Sequence, residues 1–103
     1  MIYKVSAKYC GEKASEFFQK LTDGTIARQK PDGEEIVASM KRARITHPGV
    51  IEWYETCYCP MPLQHERETV YDNYLSDIQT VEAEDYGEVK GESFWELLKS
   101  EAN

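Results

Sequence analysis

Four residues, Thr46-His47-Pro48-Gly49, separate two runs of strand-forming side chains, Met40 to Ile45 and Val50 to Tyr58, at hairpin spacing. A hairpin in the middle of so short a chain leaves room for little more than one strand and one helix on either side. The flanking patterns fit that allowance. Residues 2–9 alternate, with Tyr3, Val5, Ala7 and Tyr9 on one side and Ile2, Lys4, Ser6 and Lys8 on the other, the period-two signature of a half-buried strand. Ala14, Phe17, Phe18 and Leu21 then recur at helical spacing, and Asp23-Gly24 supplies the stop.

Two prolines end the hairpin and open the second half of the chain. In Pro60-Met61-Pro62 neither proline can donate to a ladder, so the strand stops, and Pro62 suits the first turn of a helix. Leu63, Val70, Tyr71, Tyr74 and Leu75 form a helical stripe, which predicts a helix from about Pro62 to Leu75. Ile78 to Ala83 reads as a short strand, and residues 82–92, acidic and holding Gly87 and Gly91, as a solvated loop. Ser93-Phe94-Trp95-Glu96 has capping-box spacing and opens a last helix of about three turns. A helix that short must dock on something, through Phe94, Trp95 and Leu98.

Residues 34–40 admit two readings: Ile36, Val37 and Met40 suit a short helix starting near Asp32, whereas Ile36, Ala38 and Met40 suit a strand. The expectation is a short helix giving way to a strand near Ser39. The resulting order, strand, helix, strand, strand, helix, strand, is the split βαβ arrangement. It predicts a single α+β domain over residues 1–103: a ferredoxin-like βαββαβ sandwich, with an antiparallel four-stranded sheet, helices on one face and an extra C-terminal helix. A fold of this kind carries no function with it.

Charge narrows the partners. The net charge of −7 opposes a phosphate backbone, whose binding needs Lys and Arg, so nucleic acid is not an expected partner. Residues 1–44 hold nine basic side chains against six acids, and residues 45–103 hold three against thirteen. Pairing of Lys41, Arg42 and Arg44 with Glu52 and Glu55 across the hairpin accounts for much of this split, and it brings Arg42 near Trp53. Charges interrupt every apolar stretch, so no membrane span is expected. The chain opens almost directly on strand pattern, without a basic leader, and its odd set of three cysteines fits a reducing compartment; the expected location is the cytoplasm.

The cysteines supply the most suggestive chemistry. Cys57 and Cys59, alternate residues at the end of a strand, share a face, so their thiols could converge on one metal, with His65 as a third ligand; the expectation is no cofactor, and zinc is the alternative. Cys10 is excluded from that set, because antiparallel pairing of strands one and three leaves it beside Val50, on the order of 20 Å away at about 3.3 Å per residue. Thiol redox chemistry at the same pair is opposed by Glu55, Glu66 and Glu68, which disfavour thiolate. No nucleophile is paired with a base, no glycine loop cradles phosphate, and His47 reads as an exposed turn residue, so hydrolase or transferase chemistry is not indicated.

Aromatic residues point to a different class of function. Tyr54 and Tyr58 fall on the sheet face opposite Ile51, Trp53 and Cys57, and one-sided sandwiches commonly pack a second subunit on that face. The leading expectation is a non-enzymatic interaction or assembly module acting as a homodimer through Tyr54 and Tyr58, or through Phe94 and Trp95 of the last helix. The alternative is a metal-binding or thiol-redox protein using Cys57, Cys59 and His65. A ligand pocket between sheet and helices is compatible with Trp53 and the tyrosines, but no polar signature names its occupant.

Overall fold

The alternation over residues 2–9 becomes a central strand. In the computed structural model, which describes residues 1–102, β1 (Ile2–Tyr9) turns Tyr3, Val5 and Ala7 into the core. A single 3-10 turn, Gly11–Lys13, leads into α1 (Ala14–Thr22), which buries Ala14, Phe17 and Leu21 one turn apart. Gly24 takes φ +91° just past its end, a conformation that favours glycine. α2 (Gly33–Arg42) follows a looped segment, and it starts at glycine for a steric reason. A Cβ on Gly33 would stand 2.0 Å from the carbonyl oxygen of Ile26.

α2 buries Ile36, Ser39 and Met40, so residues 34–40 are helical, and the helix extends through Arg42. The strand expected from Met40 is therefore shorter: β2 is Arg44–His47, paired with β3 (Val50–Thr56) across the turn that Gly49 closes at φ +79°. Of the three basic residues expected to face the hairpin, only Arg44 does so, opposite Glu52. Lys41 and Arg42 lie on α2 instead. Arg42 donates to the Tyr54 carbonyl at 2.9 Å and lies over the Tyr86 ring rather than that of Trp53.

The second helical segment, α3, runs over residues 64–74 as Gln64–Glu66, a π-helical stretch Arg67–Tyr71, and Asp72–Tyr74. It buries Val70, Tyr71 and Tyr74. β4 (Leu75–Ala83) is longer than the brief strand expected at Ile78, because Asp77 adopts φ 50° where the pairing with β1 shifts register. A bulge of this kind keeps Ser76 and Asp77 in the strand although both are turn-forming types.

The described residues form one antiparallel sheet of five strands in the order β4-β1-β3-β2-β5, not the four expected. The added strand is β5 (Glu92–Ser93), two residues that pair with Arg44 and Ile45 at the β2 edge before α4 (Phe94–Ala102) begins. Ser93 Oγ caps α4 by accepting from the Glu96 N–H at 3.2 Å. Phe94 and Leu98 of α4 join Val5, Ile51, Trp53, Phe17, Ile36 and Met40 in one buried cluster between sheet and helices. On the opposite face Lys4 pairs with Glu52 at 3.5 Å, and Tyr54 stacks on Tyr86 at 6.0 Å between ring centroids. Among the described residues no helix is long and apolar enough to cross a membrane.

Candidate functional site

Strand alternation sets the site. On β3, Ile51, Trp53 and Glu55 face inward in turn, and Cys57 continues the same phase just beyond the strand. Backbone pairing with the chain's first residue holds Cys57 in place: its N–H donates to the Met1 carbonyl at 2.8 Å, and the Met1 ammonium donates back to the Cys57 carbonyl at 2.9 Å. The Cys59 N–H donates to Cys57 Sγ at 3.3 Å, which folds the second cysteine over the first. β3 has already ended at Thr56, ahead of Pro60 and Pro62; Leu63 then turns the chain at φ 57°, and the first turn of α3 swings Glu66 back beneath both thiols.

Three donor groups converge there. Cys57 Sγ and Cys59 Sγ stand 3.6 and 3.5 Å from Glu66 Oε1, and the sulfurs and the carboxylate oxygen all lie within 4.8 Å of one another. Cys57 and Glu66 are buried, Cys59 half-buried. Zinc bonded to sulfur at about 2.3 Å and to oxygen at about 2.0 Å in a tetrahedron spaces the two donors by about 3.5 Å. The observed separations match that edge.

Glu55 lies behind this trio. Its Oε1 accepts from Trp53 Nε1 and from the Tyr71 hydroxyl, each at 2.8 Å, whereas its Oε2 has no hydrogen-bond partner among the described residues. Glu66 Oε2 is orphaned in the same way. Burial pushes the Glu55 carboxyl up to about 8, against the pull of the two donated hydrogen bonds. Burial also raises Glu66, helped by the nearby Asp32 carboxylate, and pushes the Cys57 thiol up to about 12. Tyr71 is held well above the ordinary phenol range by burial and by the facing Glu55. Burial thus favours the protonated forms of Glu55, Glu66, Cys57 and Tyr71 together.

A cleft of about 520 Å³ opens onto the trio, walled by Pro31, Asp32, Glu35, Tyr58 and Tyr86. Glu35 ties the rim together: its Oε2 accepts from the Thr56 N–H at 3.0 Å, the Tyr86 hydroxyl at 3.2 Å and the Arg42 guanidinium at 3.4 Å.

The structure brings Cys57 and Cys59 together and places Glu66, not His65, beside them. His65 turns away, with Nδ1 2.8 Å from Asp32 Oδ2, and its neighbour Glu66 takes the inward position. On a helix, adjacent residues face directions about 100° apart, and Glu66 shares its phase with the buried Val70 four residues on. That phase is the available sequence signal for Glu66, and strict alternation with Ile51, Trp53 and Cys57 is the signal for Glu55. Cys10 is exposed beyond the far end of β1, where Tyr9 pairs with Gly49, and so lies outside the set as expected.

The aromatic candidates separate. Phe94 is fully buried against Tyr9, 5.3 Å between centroids, and belongs to the core of this chain rather than to a docking surface. Tyr54 is covered by Tyr86 of its own chain. Trp95 is partly buried, edge-on to Phe18 with Lys41 over its ring. Tyr58 is 90% exposed at the cleft mouth. No protein family, curated protein or solved structure matches the chain.

Proposed function

We propose that this chain is a metal-binding protein that holds a divalent, thiol-preferring cation, zinc by the chemistry of its donors, between Cys57, Cys59 and Glu66. The observation that carries the reading is the convergence of two sulfurs and one carboxylate oxygen within 4.8 Å, with both sulfur–oxygen separations at the tetrahedral spacing. The orphaned, buried Oε2 of Glu66 supports it, because a cation on that carboxylate offsets the cost of an unpaired polar atom in a dry site. Binding releases the thiol protons, so affinity rises with pH. Elemental analysis of protein purified without chelator tests the reading. Close to one zinc per chain is expected, and a normally folded, metal-free protein would overturn it.

A second reading is a homodimeric assembly module. What favours it is Tyr58, 90% exposed, with Met61 64% exposed a short distance along the same loop. A mass near 11.9 kDa by light scattering at high micromolar concentration would remove it. The strand order β4-β1-β3-β2 supports reading the core as a ferredoxin-like sandwich extended by β5 and α4. Three free cysteines support a reducing compartment such as the cytosol.

A further inference from the structure

Three protein donors leave a tetrahedral ion one position short. The chain's other candidate ligands are engaged or remote. Both Asp32 oxygens lie within 3.0 Å of His65 Nδ1, Glu55 lies outside the group of donors that meet within 4.8 Å, and Cys10 lies at the opposite end of β1. Among the described residues, Cys57, Cys59 and Glu66 are the one group of three that meets at a point. All three border the cleft, and Glu66, only 1% exposed, accepts from both thiols through Oε1. A structural site closes its fourth position with protein; this one borders open space.

Charge and shape restrict what can enter. Two thiolates and a carboxylate exceed the charge of a divalent ion by one, and Asp32 and Glu35 stand on the walls of the same cleft. The Arg42 guanidinium offsets Glu35 at 3.4 Å, and among the described residues no lysine or arginine is paired with Asp32. An incoming anion therefore meets like charge in a partly desolvated space, and an uncharged donor does not. Pro31, Tyr58 and Tyr86 add flat apolar walls suited to a planar ring.

Resting on the metal-binding reading above, we propose that the ion held by Cys57, Cys59 and Glu66 keeps its fourth position open to the cleft, and that the position takes an uncharged aromatic nitrogen donor of the imidazole class. The nitrogen lone pair forms the new bond to the ion and displaces water from it. No electrons are transferred and no covalent bond of the ligand breaks.

Cobalt(II) is the probe, because its visible absorption reports the number and type of donors around it. The full reduced chain is loaded with one equivalent of cobalt and titrated separately with imidazole and with azide. Imidazole is expected to move the bands at a concentration about tenfold or more below that needed by azide. Tyr58→Ala, at an exposed position, is expected to leave the starting spectrum unchanged and to weaken the imidazole response about threefold. A chain that takes up no cobalt overturns the metal reading and this proposal together. Uptake with a spectrum that neither probe moves, or that imidazole merely bleaches, overturns the open position alone. A stronger response to azide overturns the selection by charge.

Discussion

The Tyr71 hydroxyl on α3 donates a 2.8 Å hydrogen bond to Oε1 of Glu55 on β3, and neither side chain is exposed to any extent. The bond joins the helix that supplies Glu66 to the strand that leads into Cys57, so the positions of these two residues and the protonation of a buried acid are linked through one phenol. Trp53 donates to the same oxygen from the same strand.

Glu55 makes stability depend on pH in a direction opposite to that of an ordinary surface acid. Its carboxyl is raised to about 8 by burial, so the folded chain keeps a proton that the unfolded chain releases at about 4.5. The stabilisation is complete below the unfolded value and is lost as pH rises through the folded one. In chelator-treated protein, denaturant unfolding is expected to show stability falling between about pH 5 and pH 8 by on the order of a few kcal/mol. Glu55→Gln keeps the shape without the charge and is expected to flatten that slope; a slope equal to that of the wild type would place the titration elsewhere.

Removing a donor from the same oxygen sharpens the effect. Tyr71→Phe leaves the Trp53 bond alone on Oε1. The expected cost is about 1 kcal/mol at pH 5, where Glu55 is neutral, and about 2–3 kcal/mol at pH 9, where an ionised carboxylate loses a charged hydrogen bond. Unfolding at the two pH values reads the difference directly.

Core and surface aromatics are expected to separate in the same assay. Phe94 is fully buried and Tyr58 is 90% exposed. Phe94→Ala should cost about 3–5 kcal/mol, whereas Tyr58→Glu should stay within about 0.5 kcal/mol of wild type. A large loss of stability in Tyr58→Glu at high protein concentration, absent on dilution, would point to burial of Tyr58 between subunits.

Gly33→Ala tests the junction between the looped segment and α2. The new methyl would meet the Ile26 carbonyl oxygen at 2.0 Å, and that oxygen is backbone, so the chain itself must move. A loss of about 2–4 kcal/mol is expected in thermal or denaturant unfolding, although alanine is the better helix former.

Much of this architecture is legible in the residues, and the failures have local causes. Strands β1 and β3 follow period-two alternation, α1 follows Phe17 and Leu21, and the turn at Pro48-Gly49 sets the hairpin. Helix α2 runs further than its apolar stripe suggests because Ser39 is small enough to be buried and accepts from the Arg42 guanidinium at 3.1 Å. β5 is two residues long, too short for any periodicity to show. At the site, the two cysteines are visible as candidate ligands by their spacing, whereas Glu66 and Glu55 look like surface acids. Carboxylates are rarely buried, so residue type outweighs the helical phase of Glu66 and the strand alternation of Glu55 in a reading of the sequence.

Glu66, not His65, is the third metal ligand in the proposed site, and every functional expectation above turns on that exchange. Zinc titration of the reduced, chelator-treated chain against a chromophoric competitor measures this most directly. The expected result is about one zinc per chain, with affinity lowered at least tenfold by Cys59→Ser and by Glu66→Gln and unchanged in His65→Ala. Absence of zinc uptake, or a loss of affinity in His65→Ala with Glu66→Gln unaffected, would contradict it.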